Sequence, residues 1–177
     1  MFYQLRKATL ADQARLEALI ALSARTLGAR DYTPEQIEGA LRGTFGVDTQ
    51  LIIDGTYFVA ESNGEILGCG GWSRRRTLFG GDAGTGRDAT ELDPRSEPAK
   101  IRAFFVDPNY VRKGIGRALL ERCEADARAH GFSRVELMAT LPGVRLYGSL
   151  GYTARSPVHH ELAPGLTIEF VPMHKSI

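Results

Sequence analysis

Residues 104 to 118, Phe-Phe-Val-Asp-Pro-Asn-Tyr-Val-Arg-Lys-Gly-Ile-Gly-Arg-Ala, constrain this chain more than any other stretch. They read as a strand, a proline turn, a glycine-containing loop and the start of a helix. The first turn of an α-helix leaves four backbone N–H groups without intrahelical partners, and the helix dipole puts partial positive charge beside them. Gly114 and Gly116 let that backbone approach a bulky anion, and Arg112, Lys113 and Arg117 add charge. The junction predicts a phosphate or pyrophosphate site. A lone GxG more often merely turns a chain into a helix; here the preceding strand, the Pro108 break and three cations favour the anion site. Two other phosphate motifs are excluded by counting. No GxxxxGK[ST] string occurs, and a GxGxxG fingerprint would need glycine where the chain has Leu119.

The surrounding pattern alternates helices and strands. Phe2–Lys7 reads as a first strand. Thr9 and Asp12 resemble a capping box, followed by Leu16, Leu19, Ile20, Ser23 and Leu27 as one helical stripe ending at Gly28. Thr33-Pro34 opens a second helix with Ile37, Ala40 and Leu41 on one face. Tyr57–Glu61, a Ser62-Asn63-Gly64 turn and Glu65–Arg75 form a hairpin, and Lys100–Val106 is a compact apolar strand. From Ile115 to His130 the buried stripe is Ile115, Ala118, Leu119, Cys123 and Ala127, with Arg117–Glu121 and Glu124–Arg128 as outer charge pairs. Arg134–Ala139 is a strand, Gly143–Leu150 a short helix, and Thr153–Ala163 with Leu166–Met173 a final antiparallel pair. The chain is therefore expected to be α/β, a mixed, mostly antiparallel twisted sheet of about seven strands flanked by about four helices. Residues 1–177 fit a single domain. Residues 77–98, rich in glycine and without periodicity, read as a functional loop or a disordered one, disorder being the safer choice.

Composition supplies exclusions. Against 22 Lys+Arg stand 21 Asp+Glu, a formal charge of +1, so no global field favours nucleic acid or a membrane surface and any anion site is local. Charges in MFYQLRKATL come too early for a signal peptide, and no apolar run approaches bilayer length. Cys69 and Cys123 lie in apolar contexts with no CxxC or Cys/His cluster, which predicts buried thiols and neither a disulfide nor a metal site. The expectation is a soluble cytoplasmic protein without metal, nucleic-acid or membrane partners.

The string V-D-P-x-x-x-x-K-G-I-G-R-A-L-L resembles the acetyl-CoA motif of the GNAT superfamily of acyl-CoA N-acyltransferases, [QR]xxGx[GA] after a strand and V-x-P turn. Leu146–Tyr152, L-Y-G-S-L-G-Y, is similar to the family's L-Y-x-x-x-G-[FY] signature, and the order of elements agrees along nearly the whole chain. The resemblance implies transfer of an acetyl group from acetyl-CoA to a primary amine of a small molecule or peptide, by direct attack in a ternary complex. It implies that the backbone of Val111, Arg112, Lys113, Gly114, Ile115, Gly116, Arg117 and Ala118 cradles the CoA pyrophosphate. The edge of Phe104, Phe105 and Val106 would pair with the pantetheine arm where Arg134–Ala139 splays away. Two positions depart from the pattern: Val111 stands where the family has Gln or Arg, and Thr140, a further CoA contact by position, where many members have Asn.

Such a reaction needs a base for the amine, a donor for the oxyanion and an acid for the leaving thiolate. By resemblance, a backbone N–H near Phe105 or Val106 is the oxyanion donor. Tyr147 is the candidate acid, its ordinary pKa of about 10 lying near a thiol's at about 8.5. Outside the L-Y-x-x-x-G-Y context it would read as a core residue. The base stays open. Strand alternation turns one of His159 and His160 toward the cleft, with Glu136 or a water chain as alternatives. Arg74-Arg75-Arg76 reads as a solvated strand end, or as a contact for an anionic acceptor or the CoA 3′-phosphate. Tyr32 and Trp72 are candidate acceptor walls, though core packing suits Trp72 better. Residues 77–98 read as a cover over the acceptor side or an idle insertion, with Asp82, Arg87, Asp88 and Glu91 available to a polar acceptor. The rival functions are another acyl donor or a hydroxyl acceptor, and a non-catalytic acyl-CoA-binding regulatory module. The final hairpin offers an edge for a homodimer.

Overall fold

A computed structural model describes residues 2–177. Eight strands, β1 (Gln4–Lys7), β2 (Tyr57–Ser62), β3 (Glu65–Ser73), β4 (Ala99–Val106), β5 (Arg134–Thr140), β6 (Thr153–Ala154), β7 (Val158–Ala163) and β8 (Leu166–Ser176), form one open sheet. Its order is β1-β2-β3-β4-β5-β8-β6, with β7 also on β8. Every pairing is antiparallel except β4 with β5. Five helices flank it: α1 (Gln13–Leu27), α2 (Pro34–Ala40), α3 (Thr49–Ile53), α4 (Ile115–Ala129) and α5 (Val144–Ser149).

The order matches the expected one with two additions. Thr153–Ala163 is divided into β6 and β7 around Pro157, which has no N–H to give to a ladder. The short α3 was not foreseen; it is set by Asp48, whose Oδ1 accepts the Gln50 N–H at 3.0 Å. The hairpin turn fits the sequence closely: Asn63 and Gly64 both take positive φ, 50° and 80°, as a two-residue connection requires.

The sheet carries a hydrophobic core on each face. On one side α4 brings Leu119, Leu120, Cys123 and Ala127 against Leu67, Trp72, Val135 and Leu137. Gly68 permits that approach, since a Cβ there would lie 2.7 Å from Ile115 Cγ2. On the other side Leu16 and Ile20 of α1, Ile37 of α2 and Leu51 of α3 pack with Val59, Ile168 and Phe170. Both cysteines are buried free thiols. No helix among the described residues is long and apolar enough to cross a membrane.

Two expectations are corrected. Neither the Arg117–Glu121 nor the Glu124–Arg128 pair forms among the described residues; Glu124 turns inward because the buried face of α4 is wider than the five-residue stripe and takes in Leu120 and Glu124. Glu124 accepts instead from Tyr152 Oη at 2.9 Å and Lys175 Nζ at 2.8 Å. Residues 77–98 are docked on the fold where disorder was expected. Gly81 and Asp82 donate their N–H groups to Gly43 and Val47, both at 2.9 Å, Leu92 donates to Arg74 at 2.8 Å, and the Leu92 side chain is buried.

Candidate active site

A bulge and a splay create the site. Cys69 of β3 faces Phe105 of β4, but Gly71 faces Arg102, so β4 holds one extra residue between them. Ala103 absorbs it with φ 55°. Side-chain parity switches there. Ala99 and Ile101 belong to the α4-side core before the bulge, and Phe104 and Val106 pack on that core after it, while Ala103 and Phe105 pack on the opposite core. Strand β5 pairs with β4 only at Ala99↔Val135 and Lys100↔Glu136. Beyond that point the strands part, leaving the edge at Phe104–Val106 without a strand partner.

A groove of about 660 Å³ fills the opening. Of the residues predicted to hold the cofactor, Phe104, Phe105, Val106, Val111, Arg112, Gly114, Ile115, Gly116, Arg117 and Thr140 line it. Lys113 and Ala118 do not. The Lys113 ammonium sits over the Tyr110 ring, 4.7 Å from its centroid. Ala118 donates its N–H to Gly114 O at 2.9 Å, so the free first-turn amides are those of Ile115, Gly116 and Arg117. At the N-cap, Gly114 takes φ 83°, a left-handed conformation that glycine adopts without strain. Gly116 is kept small by its neighbour, since a Cβ there would lie 3.0 Å from Leu146 Cδ2. Arg145, on the wall opposite α4, was missed by sequence reading. Its only signal was a cation two residues before Tyr147 in a short helix. Free amides, a left-handed glycine, three lining arginines and a long groove beside an open strand edge together fit a pyrophosphate with an extended arm.

Tyr147 stands where this groove meets a second, smaller cavity of about 70 Å³, and it lines both, together with Phe45, Phe104, Phe105 and Thr140. It is buried, and burial pushes its phenol well above the usual value, with Cys123 adding to the shift. The near match to a thiol pKa is therefore lost, and the hydroxyl keeps its proton throughout the neutral range. Tyr32 also walls the groove. Its hydroxyl donates to Glu169 O at 2.7 Å and accepts the Leu141 N–H at 2.8 Å, and burial lifts it to about 12. Trp72 is no wall: it is fully buried in the core, with its indole N–H on Asp126 at 2.8 Å.

Leu78, Phe79 and Gly80 of the docked loop close the smaller cavity, against Arg102, Ala103 and Met138. Among the described residues no carboxylate or imidazole lines either cavity. His160 touches the rings of Phe79 and Phe170, at 4.9 and 6.3 Å between centroids, and it is these rings that face the cavity. His159 is exposed, 3.4 Å from Glu169 Oε2, and Glu136 pairs with Lys100. The structure thus does not bring His159, His160 or Glu136 to Tyr147. The arginine run is held in ion pairs: Arg74 with Glu91 at 3.2 Å, Arg75 with Asp54 at 2.8 Å and Arg76 with Glu97 at 2.7 Å. Asp82 accepts from Thr49, Arg87 binds Asp48 and Glu91 binds Arg74, which dock the loop, while Asp88 accepts from Thr90 within it. Strand β4 is less apolar than expected, since Lys100 and Arg102 are both buried.

Residues 25–152 match the acetyltransferase (GNAT) family. Over 104 residues the chain is 29% identical to an IAA acetyltransferase from Azospirillum brasilense, covering 57% of this chain and 56% of that protein. The match therefore spans little more than half of that relative's length. In fold the chain is similar to a GCN5-related N-acetyltransferase from Rhodopseudomonas palustris, with a TM-score of 0.74 at 20% identity, over 100% of this chain and 97% of the other. It is also similar to the PaiA N-acetyltransferase from Thermoplasma acidophilum in complex with coenzyme A, with a TM-score of 0.70 at 17% identity and 100% of both chains covered.

Proposed function

The chain belongs to the acetyltransferase (GNAT) family, and on that premise we propose that it moves an acetyl group from acetyl-CoA to a primary amine of a small molecule or peptide. Attack is direct, in a ternary complex, and residues 1–177 act as one domain. One observation carries this reading: a continuous groove runs from the free amides of α4, past the unpaired edge of β4, to Tyr147.

Acetyl-CoA supplies the activated thioester. The amides of Ile115, Gly116 and Arg117 bind pyrophosphate oxygens, and Arg112, Arg117 and Arg145 offset its charge. The open edge at Phe104–Val106 holds the pantetheine arm through main-chain hydrogen bonds. A backbone N–H near Phe105 or Val106 steadies the carbonyl oxygen as negative charge grows on it. Tyr147, protonated, hydrogen-bonds the leaving sulfur as thiolate character develops, and the proton it passes to the sulfur is restored to the phenol from water. With no base on the walls, the amine arrives neutral and sheds its proton to water.

The test is turnover of acetyl-CoA against a panel of primary amines, following free thiol and the acetylated product by mass spectrometry. Matched release of CoA and acetylated amine is the expected result. Tight acetyl-CoA binding with no product from any amine would overturn it in favour of a non-catalytic binding module.

A further inference from the structure

The small cavity has an unusual wall. Arg102, on β4 just before the bulge, has a side chain only 3% exposed. Its Nη1 lies 2.5 Å from Asp48 Oδ2, though not along a hydrogen-bond direction, and Nη2 donates to Gly80 O. Its buried Nε has no partner. Asp48 is fully buried, and its Oδ1 already accepts from Arg87 Nη2 at 2.8 Å and from the Gln50 N–H. Two guanidinium groups thus share one carboxylate, leaving a surplus of one positive charge. Lys100 does not change this balance, because Glu136 neutralises it. The Nε hydrogen is sealed within the protein, but an uncompensated buried charge is costly in itself, and an anion in the cavity that Arg102 lines would offset it.

We infer that this cavity is a carboxylate subsite: the amine acceptor carries an acid group, held by Arg102. Identifying the bound molecule as the acceptor rests on the acetyl transfer proposed above. The cavity joins the groove at Phe104, Phe105 and Tyr147, so a molecule bound there reaches the reaction centre. At about 70 Å³ it has room for a small acid group on a short linker and none for a ring.

The experiment is calorimetry on the protein–CoA complex with N-acetylglycine, N-acetyl-β-alanine and N-acetyl-γ-aminobutyric acid, each beside its primary amide. For at least one spacer the acid should bind about tenfold or more tighter than the amide. Arg102→Gln leaves Asp48 neutralised by Arg87; it should bring acid and amide to parity with CoA affinity unchanged, while Arg102→Lys should keep part of the preference. Equal binding of acid and amide at every spacer, no binding by any acid, or selectivity surviving in a folded Arg102→Gln protein would overturn the inference. If Arg102→Gln does not fold, the wild-type ratios and the Lys variant decide. Acid selectivity without turnover of any amine would count against acetyl transfer and leave the subsite standing. Turnover of amines with no preference for acids would do the reverse.

Discussion

The rings of Phe104 and Tyr147 meet edge to face with centroids 6.3 Å apart, one carried by the bulged strand and the other by a six-residue helix. Two glycines make room for them. A Cβ on Gly70 would lie 2.6 Å from Phe104 Cζ, and one on Gly143 would lie 3.1 Å from Tyr147 Cε2. Neither glycine needs a left-handed backbone, so both are required for space alone. Groove and small cavity join at this contact, which makes Tyr147 the best place to probe.

Tyr147→Phe should lower kcat for a turned-over amine by about 10²-fold, within the range of general-acid contributions, while CoA affinity stays within about twofold. The ring is retained, so the packing with Phe104 and Tyr152 survives. Steady-state thiol release and calorimetry check the two halves. An unchanged kcat would reduce Tyr147 to a packing residue.

The pH profile tests the base. Because burial raises the Tyr147 phenol, this acid stays protonated below its folded pKa and removes no activity as pH rises through 8 and 9. With no imidazole on the walls, kcat/KM should climb about tenfold per pH unit until the amine's own pKa is reached. Replacing His159 by Ala and His160 by Gln should leave that slope alone. An inflection in the profile that disappears in one of these variants would restore a histidine base.

Gly116→Val should weaken CoA binding by more than about tenfold. It places bulk beside the free amides of α4 and against Leu146. Calorimetry together with a thermal melt separates lost binding from lost fold. Retained affinity in a folded variant would move the pyrophosphate elsewhere.

Lys175→Met should cost about 3 kcal/mol of stability, measured as a shift in the urea midpoint. It strips the cation from Glu124, whose side chain is 8% exposed and otherwise keeps only the Tyr152 hydroxyl. Adding Glu124→Gln should recover much of the loss, because the amide carries no charge to bury.

What could be read from residues alone depended on how local each cause was. The α4 junction was legible because proline, glycine and cations stand within one short run, and Thr33-Pro34 likewise announced α2. Ala103 carries no mark of its left-handed turn; the bulge arises from the register of two strands. Glu124 looked like a surface residue because its partner Lys175 lies 51 positions away. Arg87 seemed free for an acceptor for the same reason, since Asp48 reaches it only through the docked loop. His160 lies on a strand, as read, but it lines neither cavity, because Phe79, brought from the loop, supplies the ring it packs against.

Ala103 divides β4 into two reading frames. Upstream of it the odd-numbered residues meet the α4 side of the sheet; downstream the even-numbered ones do. Lys100 and Arg102 therefore share a parity with Phe104 and Val106 yet look out from the opposite side. Position 102 thus faces the small cavity and 106 the groove, while 104 borders both. Deleting one residue from this strand would do something a substitution cannot, exchanging the walls of two compartments at once.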